Sequence, residues 1–309
     1  MMKDKRISVK LTFPHEWPLF RQTPGGLGKW ENYDFFLNDD IVECDFWVIF
    51  SKYNLKKTKA VCAKTNVIFM PCEAYSIERF SNRFLKQFAQ IITCQTEIKH
   101  QNKALDLAGH PWFVGKSYDE LIKLESVKKD KKISLITSNK VQTEGHRKRL
   151  DFANKLKDHF KDKIDLYGRG IRDFNDKWDV LAPYEFSIAI ENDNCNDWLT
   201  EKFYDCHLAY TFPFYYGCPN AETYFDEKSF CRIDIDDFKN SVEIIENVLS
   251  IDNFYEENIQ HLKTARELSL NKYNLFPLIV KYLEKMNPHA QKSEIMVTPE
   301  SRILKWLNI

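Results

Sequence analysis

The run Tyr184-Glu-Phe-Ser-Ile-Ala-Ile-Glu-Asn-Asp-Asn-Cys-Asn-Asp-Trp-Leu-Thr-Glu-Lys202 holds the densest set of groups in this chain that could do chemistry. An apolar stretch, 186–190, stops at Glu191-Asn192. A polar loop follows, and Thr200-Glu201-Lys202 opens a helical pattern. Thr200 or Asp197 can cap that helix, and a helix N-terminus with a lysine beside it suits a phosphate. Glu201 can accept hydrogen bonds from a ribose diol. The same letters also describe a capped surface helix, and the spacing alone does not decide between the two. Downstream, Phe212-Pro-Phe-Tyr-Tyr-Gly-Cys-Pro-Asn reads as a second strand and a tight turn.

The elements that must position these groups alternate. In the first half, strands are expected at 7–13, 45–50, 67–71 and 91–94. In the second half they are expected at 133–137, 164–167, 186–190, 212–215 and 230–233, with helices at about 145–160 and 200–209. Short buried strands separated by helices predict an α/β fold with a parallel sheet. Segment 117–132 ends in a charge run and reads as a solvated helix and linker, which places a domain boundary near it. Residues 236–286 read as mostly helical, and 299–308 as an amphipathic helix carrying Trp306. In open α/β sheets ligands bind beyond the carboxyl ends of strands, where Glu191 and Asn192 fall.

Composition narrows the function classes. The 309 residues carry 45 Lys plus Arg against 45 Asp plus Glu, so a basic nucleic-acid footprint is absent. Eight cysteines form no C-x-x-C pair, which removes a zinc ribbon and favours reduced, buried thiols. No apolar run reaches the roughly 18 residues of a membrane span, and the N-terminus has no signal-peptide core.

The order Phe-x-Ile-Ala-x-Glu-Asn, Asp-Trp-Leu-Thr-Glu-Lys, Phe-Pro-Phe-Tyr-Tyr-Gly-Cys-Pro-Asn and Tyr-Phe over 184–225 resembles the α-1,3-fucosyltransferase family, glycosyltransferase family 10. The resemblance extends more weakly over 133–235. It implies a GT-B architecture of two Rossmann-like domains facing across a cleft, with a C-terminal helix packing back on the first. The expected domains are 1–130 on the acceptor side, 131–290 on the donor side, and a tail at 291–309. The implied donor is GDP-fucose and the implied acceptor a glycan, with no cofactor and no metal required. By position in the motif, Lys202 matches the lysine at the donor diphosphate and Glu201 the glutamate at its ribose. Glu191 and Asn192 match the pair lining the donor site. Trp198 stands where many members carry a nucleotide-contacting tyrosine, and it keeps an aromatic face without the phenol oxygen. Arg149 aligns best with the family's phosphate-contacting arginine, with Arg147 as rival. Tyr167-Gly168 matches a strand end where backbone approaches the nucleotide.

Sugar transfer from a nucleoside diphosphate makes two demands. Cations or dipoles must meet the charge that builds on the leaving diphosphate. A carboxylate or histidine must take the acceptor's proton. Lys202 and Arg149 meet the first demand. Asp234-Ile-Asp236, beside Asp237, reads as a helix cap cluster rather than a metal motif. For the second, Glu73 follows an apolar strand as the family's proposed base does. The expectation is therefore an inverting, single-displacement fucosyltransferase, with the α-1,3 linkage implied by the resemblance alone. A GT-B enzyme for another nucleotide sugar, or a non-catalytic glycan- or nucleotide-binding relative, stays open. The expected location is cytoplasmic, with peripheral contact to a membrane surface through the Trp306 tail as an open alternative. The Gly-rich loop around 24–28 lacks both common phosphate spacings, and Trp112 and His207 read as packing residues.

Overall fold

Near-continuous apolar runs are the mark of strands buried on both faces of a parallel sheet. In the computed structural model, which describes residues 6–38, 40–51 and 56–300, these runs take that place. The chain divides into two units, one drawn from residues up to His110 and again from Leu275 onward, the other from Pro111–Asn274. The first unit contains β1 (Ile7–Thr12), β2 (Lys29–Trp30), β3 (Tyr33–Leu37), β4 (Phe46–Phe50), β5 (Thr58–Cys62), β6 (Val67–Met70), β7 (Gln90–Thr93) and β8 (Lys103–Leu105). Seven of these form one sheet in the order β2-β3-β1-β4-β6-β7-β8. All its pairings are parallel except β2 with β3. Every residue of β4 is buried, as a central strand requires. A short helix, α1 (Asn82–Leu85), is capped by Ser81 and presses Phe84 on Phe69 at 5.2 Å between ring centroids. Burying such a ring contributes about 1.5–3 kcal/mol.

The second unit opens with α2 (Tyr118–Ile122), then β9 (Lys131–Ile136), α3 (Glu144–Phe160), β10 (Asp165–Tyr167), β11 (Tyr184–Ile190), α4 (Glu201–Leu208), β12 (Phe212–Tyr216), β13 (Cys231–Arg232), α5 (Phe238–Ser250) and α6 (Phe254–Asn271). Its five-stranded sheet has the order β10-β9-β11-β12-β13 and is parallel throughout. One buried core joins the sheet to the helices through Phe152, Leu156, Phe186, Phe212, Ile245 and Leu262. The chain then returns to the first unit with α7 (Leu275–Leu283) and β14 (Ser293–Val297), which pairs antiparallel with β5.

The domain limits differ from those expected at 130, 290 and 291. Residues 111–130 belong with the second unit because their groups bond into it. Phe113 N–H donates to Asp205 at 2.9 Å, Tyr118 Oη to Asn271 at 2.7 Å, and the Arg266 guanidinium to the Leu121 carbonyl. Residues from 275 belong with the first unit for the same kind of reason. Phe276 packs edge-on against Phe35 at 4.9 Å, Tyr282 Oη donates to Asp106 at 2.6 Å, and Asn66 donates to the Asn287 carbonyl at 2.8 Å. The expected tail begins as the strand β14 rather than as a helix, and the Trp306 helix lies outside the described residues. The helix expected across 117–132 is only the five residues of α2, and Lys131 onward is already β9. All eight cysteines are free thiols, six of them buried. Among the described residues no helix is long and apolar enough to cross a membrane.

Candidate functional site

The carboxyl ends of β9, β11 and β12 bring the chemistry together. Three glycines make the close approaches possible. A Cβ on Gly145, in the first turn of α3, would lie 1.8 Å from the Asn192 carbonyl oxygen. A Cβ on Gly217, just past β12, would lie 2.4 Å from Glu191 Cγ. A Cβ on Gly168, where φ is +141°, would meet the Thr137 carbonyl at 1.4 Å. So the start of α3 sits against the loop after β11, and the Glu191 side chain passes beneath the turn after β12.

Glu191 is 1% exposed, and an ionised carboxylate at that depth needs partners. It has them. Thr200 N–H donates at 3.0 Å, the Thr200 hydroxyl sits 2.8 and 2.7 Å from its two oxygens, and the Lys202 ammonium is at 3.2 Å. Thr200 is also the N-cap of α4, accepting from Lys202 N–H. Lys202 Nζ further donates to Thr200 Oγ1 at 3.1 Å and to Glu201 at 3.2 Å. All three ammonium hydrogens are thus engaged by protein. Burial alone would push this amine down, but Glu191 and Glu201 outweigh burial and hold it well above its ordinary range. An incoming anion must replace one partner. Glu201 is the exchangeable one, because Glu191 is fully enclosed and Glu201 is 14% exposed.

Arg149 enters from the second turn of α3. It is buried, donating to Asn192 Oδ1 and to Ser138 Oγ at 3.1 Å, and its Nε–H has no partner among the described residues. Burial lowers its pKa, with Glu191 and Glu201 pulling the other way. His146, whose ring closes the α3 capping box on Thr143, is pushed below its ordinary pKa by burial and then by Arg149, Lys140 and Lys202. The region is therefore a concentration of positive charge, with a buried guanidinium that has a hydrogen to give. That combination suits phosphate oxygens.

The structure separates the sequence candidates. Lys202, Glu201, Glu191, Asn192 and Arg149 converge. Arg147 does not: it is exposed and donates to the Val141 carbonyl at 3.0 Å, because two residues along a helix turn its side chain away. Trp198 is 1% exposed, so its ring offers no face to a nucleotide. Tyr167 is also buried, with its hydroxyl 2.7 Å from that of Tyr184 and the Arg172 guanidinium over its ring. Gly168 is required by its crowding against Thr137. Asp197 is not the α4 cap. It has φ +62° and accepts from Asn220 and Tyr224, which ties down the loop before α4. Asp237 caps α5 by accepting from Asn240 N–H at 3.1 Å, as expected for that acidic run. Sequence reasoning missed Ser138, an isolated hydroxyl after β9 with no motif to mark it. It also missed the buried Lys177–Asp205 ion pair at 2.7 Å, which anchors α4 from within. Glu73 belongs to the first unit, three residues past β6. It is partly buried, and its backbone carbonyl accepts from Gln95 Nε2 at 2.8 Å.

Comparison with known proteins fits this geometry. The chain is 35% identical over 72 residues to the Alpha-(1,3)-fucosyltransferase FucT of Helicobacter pylori, covering 23% of this chain and 15% of that protein. It is 32% identical over 104 residues to Alpha-(1,3)-fucosyltransferase B of Drosophila melanogaster, covering 33% and 23%. A Putative fucosyltransferase-like protein of Arabidopsis thaliana is 42% identical over 65 residues, covering 20% and 13%. The chain thus spans less than a quarter of the length of these relatives in each alignment. Crystal structures of an alpha1,3-fucosyltransferase, alone and with GDP, share the fold at TM-scores of 0.51 and 0.53. Each is 15% identical, covering 89% of this chain and 94% of the other. Residues 126–289, more than half of the chain, match the family described as Glycosyltransferase family 10 (fucosyltransferase) C-term. The chain therefore belongs to glycosyltransferase family 10, the fucosyltransferases.

Proposed function

We propose that this protein transfers L-fucose from GDP-fucose to a hydroxyl of a glycan acceptor, inverting the configuration at C1 and forming an α-1,3 linkage. The observation that carries the donor half is the pairing of Lys202 at the capped start of α4 with the buried, incompletely bonded Arg149. In this reading the diphosphate displaces Glu201 from Lys202 and takes the free Nε–H of Arg149. Glu201, once released, turns to the ribose diol. Glu191 stays buried and keeps Lys202 charged and aimed. Asn192 holds the guanidinium plane. The two cations stabilise charge on the departing GDP, a role in which fixed groups act without reorganising.

Glu73 is the proposed general base. It takes the proton of the acceptor hydroxyl as the oxygen bonds to C1 and the C1–oxygen bond to the diphosphate breaks. GDP is the product, and the proton rests on the carboxylate until it passes to water. Soluble glycan precursors of surface polysaccharides or glycoconjugates are the acceptors this reading favours, with action in the cytoplasm or at the inner face of a membrane. The test is turnover of GDP-fucose with a panel of glycan acceptors. Glu73→Gln should leave GDP affinity within about twofold while transfer falls by about a hundredfold or more, the usual scale for a lost general base. Transfer at the native rate in a folded Glu73→Gln variant would remove Glu73 from the chemistry.

A further inference from the structure

We infer that the first unit carries a subsite for one neutral pyranose ring, in a cavity of about 200 Å³ formed by the loop after β6 and the loop after β7. The inference rests on the reading of the chain as a sugar transferase and names where a ring of the acceptor glycan binds.

Three observations carry it. The first is the chemistry of the lining. Leu85 and Ile98 are buried and form the floor, and Phe80 is held as a wall by Phe69, at 4.8 Å between ring centroids. Tyr75 lines the same cavity, with the Arg79 guanidinium 4.7 Å from its ring centroid. Asn82, Glu97 and Lys99, all exposed residues with polar side chains, line the same cavity. A pyranose ring has the same division, with C–H groups on its faces and hydroxyls around its edge. The amide can donate and accept, the carboxylate can accept from neighbouring hydroxyls, and the ammonium can donate.

The second observation is that these polar groups are uncommitted. The side chains of Asn82, Glu97 and Lys99 make no hydrogen bond or ion pair with other described residues. The acid and the amine are two residues apart but do not pair, although both line the cavity. The two lining charges offset each other, and a neutral ring is the occupant whose hydroxyls both can meet. The volume is below the roughly 300–1,000 Å³ of pockets that enclose whole drug-sized ligands, which limits the occupant to a single ring.

The third is rigidity. Gln95 Nε2 donates to the carbonyls of Glu73, at 2.8 Å, and Glu78, at 2.9 Å. Ser81 is fixed by the Glu300 carboxylate at 2.7 Å from both its N–H and its hydroxyl. Both ends of the loop that carries Tyr75 are therefore pinned. Little ordering is left for a weak ligand to impose. The same loop begins at Glu73, so the cavity and the proposed base share one clamped segment.

The test is saturation-transfer NMR on the full chain with methyl glycosides of glucose, galactose, mannose and N-acetylglucosamine as neutral probes. Glucuronic acid is the charged control. At least one neutral glycoside should receive saturation, and glucuronic acid should receive less. Tyr75→Ala and Glu97→Gln should each weaken the interaction by about tenfold, the loss expected for one or two hydrogen bonds or one ring contact. Glu97→Gln alters an exposed side chain, so it keeps the test open should Tyr75→Ala fail to fold. In turnover with an acceptor that contains the responding sugar, the KM for acceptor should rise with kcat nearly unchanged. The proposal is overturned if no neutral glycoside binds, if binding survives both variants, or if glucuronic acid is preferred. Calorimetry with GDP on the same samples keeps the two readings apart. Wild-type protein that fails to bind GDP refutes the donor assignment and leaves the saccharide result to be judged by itself.

Discussion

Arg149→Met separates binding from stability more cleanly than any other change at the site. Arg149 bonds only to neutral groups, Asn192 Oδ1 and Ser138 Oγ, and its Nε–H is unpaired. Each of its two hydrogen bonds, being charge-assisted, contributes about 1.5–3 kcal/mol. Against them stands the cost of burying a guanidinium at 5% exposure, several kcal/mol for a charge without a direct counter-ion. The two sides nearly cancel. Methionine keeps much of the volume and removes the charge, so Tm should move by no more than about 4 °C. Binding should behave differently, because a diphosphate supplies a directly bonded counter-ion, which Arg149 does not have among the described residues. Truncating one partner of such a buried pair costs about 2–5 kcal/mol, which raises the Kd for GDP by about thirtyfold to several thousandfold. Calorimetric titration beside thermal unfolding measures both. A folded variant that binds GDP within about threefold of wild type would refute the phosphate role. A large fall in Tm would instead make Arg149 a structural clamp.

Other changes bear on the same site. Arg147→Ala should leave GDP affinity within about twofold, since this exposed side chain faces the Val141 carbonyl; calorimetry that shows a large loss would reverse the choice between the two arginines. Gly145→Ala, in the first turn of α3, would gain at most the roughly 0.5–1 kcal/mol of a mid-helix substitution, yet its Cβ would fall 1.8 Å from the Asn192 carbonyl. Both Tm and GDP affinity should therefore drop, and a raised Tm would contradict the packing. His207 gives a pH signature. Burial pushes its pKa down to about 4, and its Nε2–H donates to the Ser229 carbonyl at 3.1 Å. The unfolded chain takes up a proton below about pH 6.5 while the folded chain does not, so stability falls between there and about pH 4. The loss is on the order of 3 kcal/mol, read from denaturant unfolding across that range, and His207→Gln should flatten it. An unchanged acid slope in that variant would show that the imidazole is not the group responsible.

The parts legible in the sequence were those whose physics is local. Strands β4 and β6 are buried on both faces, so their letters run apolar without interruption, and β11 departs from that only at Glu185 and Ser187. Strands β2, β5 and β8 are short, carry lysines and lie at sheet edges or in the two-stranded ribbon, so period and composition did not mark them. The chain's return to the first unit was invisible because a helical period through 236–286 says nothing about what the helix packs against. The bonds of Tyr282 to Asp106 and of Asn66 to the Asn287 carbonyl, the Phe276–Phe35 contact and the pairing of β14 with β5 reveal it. At the site, the family-like spacing picked out Lys202, Glu201 and Glu191, which the fold brings into one hydrogen-bonded cluster. It ranked Arg149 above Arg147 without excluding the rival, because the two differ only in helix phase. It also placed Trp198 at the ligand, where burial puts it in the packing. The cavity lined by Tyr75, Asn82 and Glu97 draws on separate loops, and no single stretch of sequence contains it.

The most direct test of the central claim is calorimetric titration of the protein with GDP, UDP, CDP and ADP, first without metal and then with Mn²⁺. Selective binding of GDP in the absence of metal is expected, weakened by Arg149→Met and Lys202→Met. Preference for UDP, or a folded protein that binds none of the four, would contradict it.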